Sequence, residues 1–137
     1  MKKLLFFTAI CFYVNGLYAS SHKIQTLTSR GAKVIITDET PKGCKSVGEV
    51  EAVDYRKNNE SLVSFDLLSK GAINDLKNKA AKKTSANRPV IKIIESGYIC
   101  GKKKSTQQGY ECSYKEAISG KKSLFAVAYK AIVFNCN

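Results

Sequence analysis

A helical repeat of apolar positions runs from Phe65 to Ala80. At 100° per residue, its apolar side chains fall within an arc of about 140°, the width of a buried helix face. Ser64 is suited to cap the start of this helix, and Lys82 and Lys83 suit the negative end of its dipole. We therefore predict one amphipathic helix that ends before the Asn-Arg-Pro segment at 87–89. Its predicted buried face consists of Phe65, Leu68, Ala72, Ile73, Leu76 and Ala80.

Short segments rich in β-branched or alternating apolar residues lie on both sides of this helix and predict strands. The strand, helix and strand between 46 and 94 predict a βαβ-like unit with a right-handed crossover. The order β-β-α-β-β-β predicts an α+β fold, in which a small mixed or antiparallel sheet of about five strands packs on one main helix. The predicted strands are 32–37, 46–53 with a bulge at Gly48, 90–94 with an extension to Cys100, 110–114 and 124–134.

The first residues have the pattern of a secretory signal peptide. Lys2 and Lys3 precede an apolar run at 4–14, and the small residue Ala19 offers a cleavage position. The run is shorter than the roughly 20 apolar residues that a membrane-spanning helix needs. We predict export to the periplasm or the outer membrane, with secretion as a further destination and no transmembrane helix in the mature chain.

Cleavage at this position divides the chain into three parts. They are a signal peptide at 1–19, a flexible N-terminal arm at 20–30 and a single disulfide-linked α/β domain at 31–137. A second interpretation is a lipoprotein that is cut just before Cys11, although Ile10 stands where lipoproteins normally have a small residue. Whether Cys11 is lipidated stays open.

Four cysteines remain after the predicted cleavage, and an even number in an exported chain indicates two disulfides. A four-thiolate zinc site is the rival interpretation, but its usual Cys-x-x-Cys pairs are absent from the sequence. We favour Cys44–Cys136 with Cys100–Cys112, because the second pair flanks a hairpin-like loop and the first pair could join neighbouring antiparallel strands. Loop-closure entropy does not exclude the pairing of Cys44 with Cys112 and of Cys100 with Cys136.

Lys and Arg outnumber Asp and Glu by 23 to 11, so that the whole chain has a formal charge of +12. Loss of Lys2 and Lys3 with the signal peptide lowers this charge to +10, which points to anionic partners. For an exported chain these are lipopolysaccharide, anionic lipid or an acidic envelope protein, and nucleic acid is not expected. Lysines that only keep the protein soluble are the plainer interpretation. The candidate anion-binding residues form three groups: Lys102, Lys103 and Lys104; Lys79, Lys82 and Lys83; Lys121 and Lys122.

Side chains that would carry catalysis are scarce. The sequence has no phosphate-binding loop, nucleophile elbow or zinc-protease motif. Its one histidine, His22, lies in the predicted arm, where we expect it to be solvated. A secreted basic ribonuclease would need histidine as a general acid or base. Glu49 and Glu51 share a strand face and could in principle be paired carboxylates for glycoside cleavage, but such a pair is more typical of a solvated strand edge. We predict no enzyme, no cofactor, no metal and no catalytic residue.

Four segments together resemble a family of small proteobacterial envelope lipoproteins of unknown function. They are 43–50 (Gly-Cys-Lys-Ser-Val-Gly-Glu-Val), 72–81 (Ala-Ile-Asn-Asp-Leu-Lys-Asn-Lys-Ala-Ala), the Ser-Ala-Asn link at 85–87 with Val90, and Ala128-Tyr129 with Cys136 beyond. The succession of helix, Ala-Asn link, strand and cysteine is also distantly similar to the outer-membrane lipoprotein sensor of the Rcs stress phosphorelay. The resemblance implies a compact disulfide-linked α/β domain of the envelope without catalytic residues.

These observations predict a non-enzymatic exported protein of the bacterial envelope that acts by binding. The basic segment at 101–109 is the expected contact surface. Two alternatives remain: an envelope-stress sensor or regulatory protein similar to the Rcs lipoprotein, and a secreted cationic effector or hydrolase.

Overall fold

The computed structural model describes residues 22–57, 60, 62–101 and 109–136. A short 3-10 helix at Gly31–Lys33 opens the domain. The helices are α1 (Phe65–Lys83) and α2 (Tyr114–Ile118), and the strands are β1 (Ile35–Thr37), β2 (Lys45–Tyr55), β3 (Val90–Gly101), β4 (Tyr110–Glu111) and β5 (Ser123–Asn135).

The five strands form one mixed sheet in the order β1-β3-β5-β2, and β4 pairs with the C-terminal end of β3. β1 runs parallel to β3, whereas β5 runs antiparallel to both β2 and β3. Because β5 is antiparallel to both neighbours, β2 and β3 run in the same direction on either side of it. The predicted α+β fold is confirmed, and β5 lies between the two strands of the predicted βαβ-like unit.

Helix α1 covers one face of the sheet; as predicted, it begins after the cap Ser64 and ends before the Asn-Arg-Pro segment. The Ser64 side chain accepts a hydrogen bond from the backbone N–H of Leu67 at 3.3 Å, and the helix ends at Lys83. Its apolar face packs against side chains of β2, β3 and β5 in two core clusters. Burial of each leucine of this face contributes about 2 kcal/mol. The predicted face residues that are fully buried are Leu68, Ala72, Leu76 and Ala80.

The segment after Cys112 differs from the predicted strand at 110–114. β4 ends at Glu111, and a capping box then starts α2. The hydroxyl of Ser113 accepts from the backbone N–H of Glu116 at 3.3 Å, while the Glu116 carboxylate accepts from the backbone N–H of Ser113 at 3.0 Å. Such a box satisfies N–H groups that lack partners at a helix start, so it favours a helical turn here over continued strand.

The described part of the predicted N-terminal arm, residues 22–30, makes hydrogen bonds to the rest of the domain. We call these residues the N-terminal strap. The side-chain amide of Asn74 donates to the carbonyl oxygen of Gln25, and that of Asn78 donates to the carbonyl oxygen of Thr26, each at 2.8 Å. Two asparagines one helical turn apart therefore bind the backbone of the strap.

The predicted bulge lies in β2, where the register with β5 shifts between Ser46 and Gly48. Gly48 has a φ of +120°, a backbone conformation that favours glycine. A Cβ at this position would also lie 2.6 Å from Cε of Lys83. Gly48 therefore permits the bulge and leaves room for the side chain of Lys83.

Replacement of Gly48 by alanine is expected to lower the free energy of unfolding by about 2 kcal/mol, because the backbone strain alone costs about 1–3 kcal/mol. Equilibrium unfolding in urea measures this loss. Gly97→Ala is the matched control, since a Cβ there would make only an ordinary contact, 4.0 Å from Cβ of Ala128. We expect a change below about 1 kcal/mol for the control. Equal losses in the two variants would contradict this explanation of the bulge.

Two disulfides join the ends of strands. Cys44–Cys136 connects the residue before β2 to the residue after β5, with Cα atoms 4.5 Å apart. Cys100–Cys112 connects the end of β3 to the residue after β4, with Cα atoms 5.8 Å apart. The favoured pairing is confirmed. Two disulfides in a small chain are typical of exported proteins rather than cytoplasmic ones.

Candidate functional site

A cleft of about 640 Å³ lies where the C-terminal end of α1 meets the 3-10 helix and the loop that leads into β3. Its lining combines four cationic side chains with small and polar residues. Among the described residues no Asp or Glu lines this cleft, so its positive charge is not balanced locally. We call it the cationic cleft, and its lining residues are Arg30, Lys33, Lys82, Lys83, Thr84, Ser85, Ala86, Asn87 and Pro89.

A hydrogen bond fixes the position of Arg30 in this cleft. Its Nη2 donates to the carbonyl oxygen of Thr84 at 2.8 Å, and Thr84 directly follows α1. This contact uses one of the five N–H donors of the guanidinium. The planar fork of arginine matches two oxygens of a phosphate or carboxylate, so a guanidinium held in place is suited to bind such a group.

Asn78 of α1 fixes the position of the strap and thereby of Arg30 in the cleft. Its Oδ1 accepts hydrogen bonds from the backbone N–H and the hydroxyl of Thr28, at 2.9 Å and 3.0 Å. The backbone N–H of Gly31 in turn donates to the Thr28 hydroxyl at 2.9 Å. Gly31 is buried, and a Cβ there would collide with Oδ1 of Asn78. The close packing of Gly31 on Asn78 therefore places Arg30, the last residue of the strap, beside the end of α1.

The lysines of the cleft come from two separate elements. Lys82 and Lys83 belong to the last turn of α1, and Lys33 ends the 3-10 helix. Cations at the C-terminal end of a helix offset its partial negative charge, which gives two of them a local stabilising role. Exposed ion pairs contribute about 0–1 kcal/mol each. The combined effect of four cations, rather than a single contact, would therefore hold an anion.

Lys79 was predicted together with Lys82 and Lys83 but does not line the cleft. Its Nζ lies 2.7 Å from Oδ2 of Asp75 and donates to the carbonyl oxygen of Glu51 at 2.9 Å. Lys79 therefore has its charge paired and covers an edge carbonyl of β2.

The remaining predicted lysines are not brought to this cleft by the described structure. Lys121 and Lys122 directly precede β5, whereas the cleft adjoins the start of β3, and these two strand starts lie at opposite ends of the antiparallel β3–β5 pair. Lys122 lies over the ring of Tyr110, with Nζ 4.9 Å from the ring centroid. The predicted group Lys102, Lys103 and Lys104 lies outside the described residues.

His22 is buried, not solvated as predicted. Its side chain is 4% exposed, with Nε2 2.8 Å from Oδ2 of Asp54 and Nδ1 2.9 Å from Oε2 of Glu60. These contacts join residues 32 and 38 positions apart. Sequence reasoning missed them because partners so distant in sequence leave no periodic signal.

A family model described as a domain of unknown function, DUF4156, matches residues 25–136. The chain belongs to the DUF4156 family. No curated protein and no solved structure matches it. The DUF4156 match begins within the strap and extends to Cys136, so it includes the cationic cleft and both disulfides.

In the part of this DUF4156 chain that the structure describes, no helix combines the length and the apolar character needed to cross a membrane. Within the same ranges, no group of three or more His, Cys, Asp or Glu side chains is arranged to hold a metal ion.

Proposed function

We propose that this DUF4156 protein is a non-enzymatic exported protein of the bacterial envelope that binds an anionic envelope component through the cationic cleft. One observation carries the proposal: the strap, the 3-10 helix and α1 bring Arg30, Lys33, Lys82 and Lys83 to one cleft whose described lining has no acidic residue. A concave surface of one charge sign concentrates counter-ions and ligands of the opposite sign.

Export is supported by the two disulfides, because such bonds persist in oxidising compartments. The signal-peptide pattern at 1–19 lies outside the described residues, and it stays a prediction together with the periplasmic or outer-membrane location. The resemblance to small envelope lipoproteins supports the same compartment. The anionic groups of an envelope are chiefly the phosphates of lipopolysaccharide and of lipid headgroups.

A phosphate-bearing headgroup suits the chemistry of this cleft better than an acyl chain. Thr84, Ser85 and Asn87 add hydroxyl and amide groups to the four cations of the lining. Charge-assisted hydrogen bonds to phosphate oxygens are stronger than neutral ones. The apolar contribution of Ala86 and Pro89 is too small to bury a lipid tail.

The contacts of His22 give no support to a catalytic role for this residue. Both ring nitrogens of His22 contact a carboxylate, and the side chain is 4% exposed. A general acid or base must reach the proton of a substrate directly or through one water. Neither nitrogen of His22 is placed to do so.

The test compares three charge-removing variants on vesicles that contain anionic phospholipid, two that remove two charges and one that removes three. The cleft variant is Lys82→Gln with Lys83→Gln, and the matched control is Lys121→Gln with Lys122→Gln, which removes the same charge at the far end of the sheet. The third variant replaces Lys102, Lys103 and Lys104 by glutamine. Co-sedimentation at several salt concentrations measures the affinities.

The cleft variant is expected to bind about tenfold more weakly, which corresponds to about 1.4 kcal/mol, and with a weaker dependence on salt. The control at Lys121 and Lys122 is expected to change affinity less than about twofold, because general charge effects on association are screened by salt. Equal losses in these two variants would mean that net charge alone drives binding. A large loss only on replacement of Lys102, Lys103 and Lys104 would move the site away from the cleft.

A further inference from the structure

The imidazole of His22 joins three parts of the fold. Nε2 contacts Asp54 near the end of β2, and Nδ1 contacts Glu60 in the segment that leads to α1, at 2.8 Å and 2.9 Å. The side chains of His22, Asp54 and Glu60 are only 4%, 17% and 6% exposed. Along the chain, His22 precedes the strap residues that contact Asn74 and Asn78. The contact thus closes the strap onto the sheet at its N-terminal end.

Both hydrogen bonds require the protonated form of this ring. An ionised carboxylate only accepts hydrogen bonds, so each ring nitrogen must carry a hydrogen to bind one. Neutral imidazole has a single N–H, and its second nitrogen would direct a lone pair at a carboxylate oxygen. Protonation of His22 therefore satisfies the two contacts together, and loss of the proton breaks one of them.

We infer that His22, Asp54 and Glu60 form a proton-dependent latch that fastens the N-terminal end of the strap to the domain. Protonated His22 closes the latch, and deprotonation releases the residues that precede the Asn74 and Asn78 contacts. Those contacts hold residues 25–28 in both states. The latch therefore controls whether residues 22–24 stay attached to the domain.

The helix is shaped to accommodate the latch. Gly71 of α1 is buried, and a Cβ there would collide with the carboxylate of Asp54. A side chain at residue 71 would thus displace the carboxylate that Nε2 contacts. The backbone N–H of Lys57 donates to Oε2 of Glu60 at 2.9 Å, which orients the second carboxylate. The backbone N–H of Tyr55 donates to Oδ1 of Asp54 at 2.9 Å, so both acceptors are positioned by contacts other than the one to His22.

The surrounding charges favour the protonated form of His22. Burial opposes protonation of His22, but hydrogen bonds and charge interactions with Asp54 and Glu60 outweigh it and raise the pKa of His22. Burial alone would raise the pKa of Glu60, but the hydrogen bonds from His22 and from the backbone of Lys57 outweigh it and lower that pKa. The other titratable groups that line this region, from the strap, the end of β2 with its following loop, and α1, are Lys23, Tyr55, Lys57 and Asp75.

The pH window follows from these directions. A raised histidine pKa gives stability that is complete below the unfolded value of roughly 6.5 and is lost as pH rises through the folded value. A lowered glutamate pKa gives stability that is present above the unfolded value of roughly 4.3 and is lost as pH falls through the folded value. The latch is therefore fully closed between the two unfolded values, roughly 4.3 and 6.5. It opens as the pH rises through the folded pKa of His22 or falls through the folded pKa of Glu60.

NMR can test the latch without ambiguity, because His22 is the only histidine of the chain. The ring Hε1 signal of the disulfide-bonded protein is titrated from pH 4 to pH 9, and the {¹H}-¹⁵N NOEs of residues 22–28 are recorded in parallel. We expect His22 to titrate above its ordinary pKa. The NOEs of residues 23 and 24 are expected to fall over the same pH range, while those of residues 26 and 28 stay high.

Variants separate the latch from a general effect of pH. Glu60→Gln and Asp54→Asn should each lower the pKa of His22, whereas Glu111→Gln, an exposed glutamate on β4, should leave it unchanged. His22→Gln should leave residues 23 and 24 mobile at every pH. Titration of His22 at its ordinary pKa, or strap NOEs that do not follow that titration, would overturn the latch. The result is independent of the cationic cleft, because no anion is bound in this experiment.

Discussion

Replacement of both Cys44 and Cys136 by alanine is expected to lower the free energy of unfolding by about 4.6 kcal/mol. The disulfide spans 92 residues, and a cross-link that closes a long loop removes the most entropy from the unfolded chain. It also fastens β2, an edge strand of the sheet, to β5. Equilibrium unfolding in guanidinium chloride, fitted with a shared m-value, measures the loss.

The matched comparison is the double alanine variant of Cys100 and Cys112. That disulfide spans 12 residues, for which the same loop-closure argument gives about 2.8 kcal/mol. Both cysteines are buried in the core, so small cavities add about 1 kcal/mol to the loss. The longer loop is still expected to cost more. A loss below about 2 kcal/mol for the variant of Cys44 and Cys136 would contradict an entropic role for that disulfide.

Asn78→Ala is expected to lower the free energy of unfolding by about 3 kcal/mol, because each buried polar group left without a partner costs about 1–3 kcal/mol. The side chain is 5% exposed. It binds the carbonyl oxygen of Thr26 and both the N–H and the hydroxyl of Thr28. The same variant should weaken anion binding at the cleft, since these contacts place Arg30. Chemical denaturation and vesicle binding measure the two effects.

Asn74→Ala is the control for this prediction. Asn74 lies one turn earlier on α1 and makes one hydrogen bond to the strap, to the carbonyl oxygen of Gln25 in an exposed setting. A bond of this kind contributes about 1 kcal/mol or less. We expect a small loss of stability and unchanged anion binding. If Asn74→Ala and Asn78→Ala lowered the free energy of unfolding equally, the strap would not be held mainly through the buried asparagine.

The sheet and the main helix could be predicted because their signals are local. Burial of one helix face repeats every three or four residues. The sequence shows this spacing in the buried residues Leu68, Ala72, Leu76 and Ala80. β-Branched runs identified β3 and β5 in the same way. The start of α2 was also readable, since Ser113 and Glu116 form a capping box, but the alternation at 110–114 was interpreted as strand.

The strap and the cleft could not be predicted because they depend on contacts between distant residues. Asn78 lies outside the apolar arc of α1 and would be expected in solvent, yet it is buried by residues 52 and 50 positions away. Arg30 and Lys33 join Lys82 and Lys83 only once the strap has docked on the helix. A run of lysines is visible in a sequence, whereas a cleft that combines cations from two segments exists only in the fold.

Direct observation of ligand contacts is the sharpest test of the cationic cleft. The oxidised, ¹⁵N-labelled protein is titrated with a short-chain anionic phospholipid below its micelle concentration, at low and at high salt. We predict that the largest amide shift changes fall at residues 30–33 and 82–87, and that salt suppresses them. Shift changes that spare these residues and cluster at 102–104 or at 121 and 122 would contradict the cleft as the binding site.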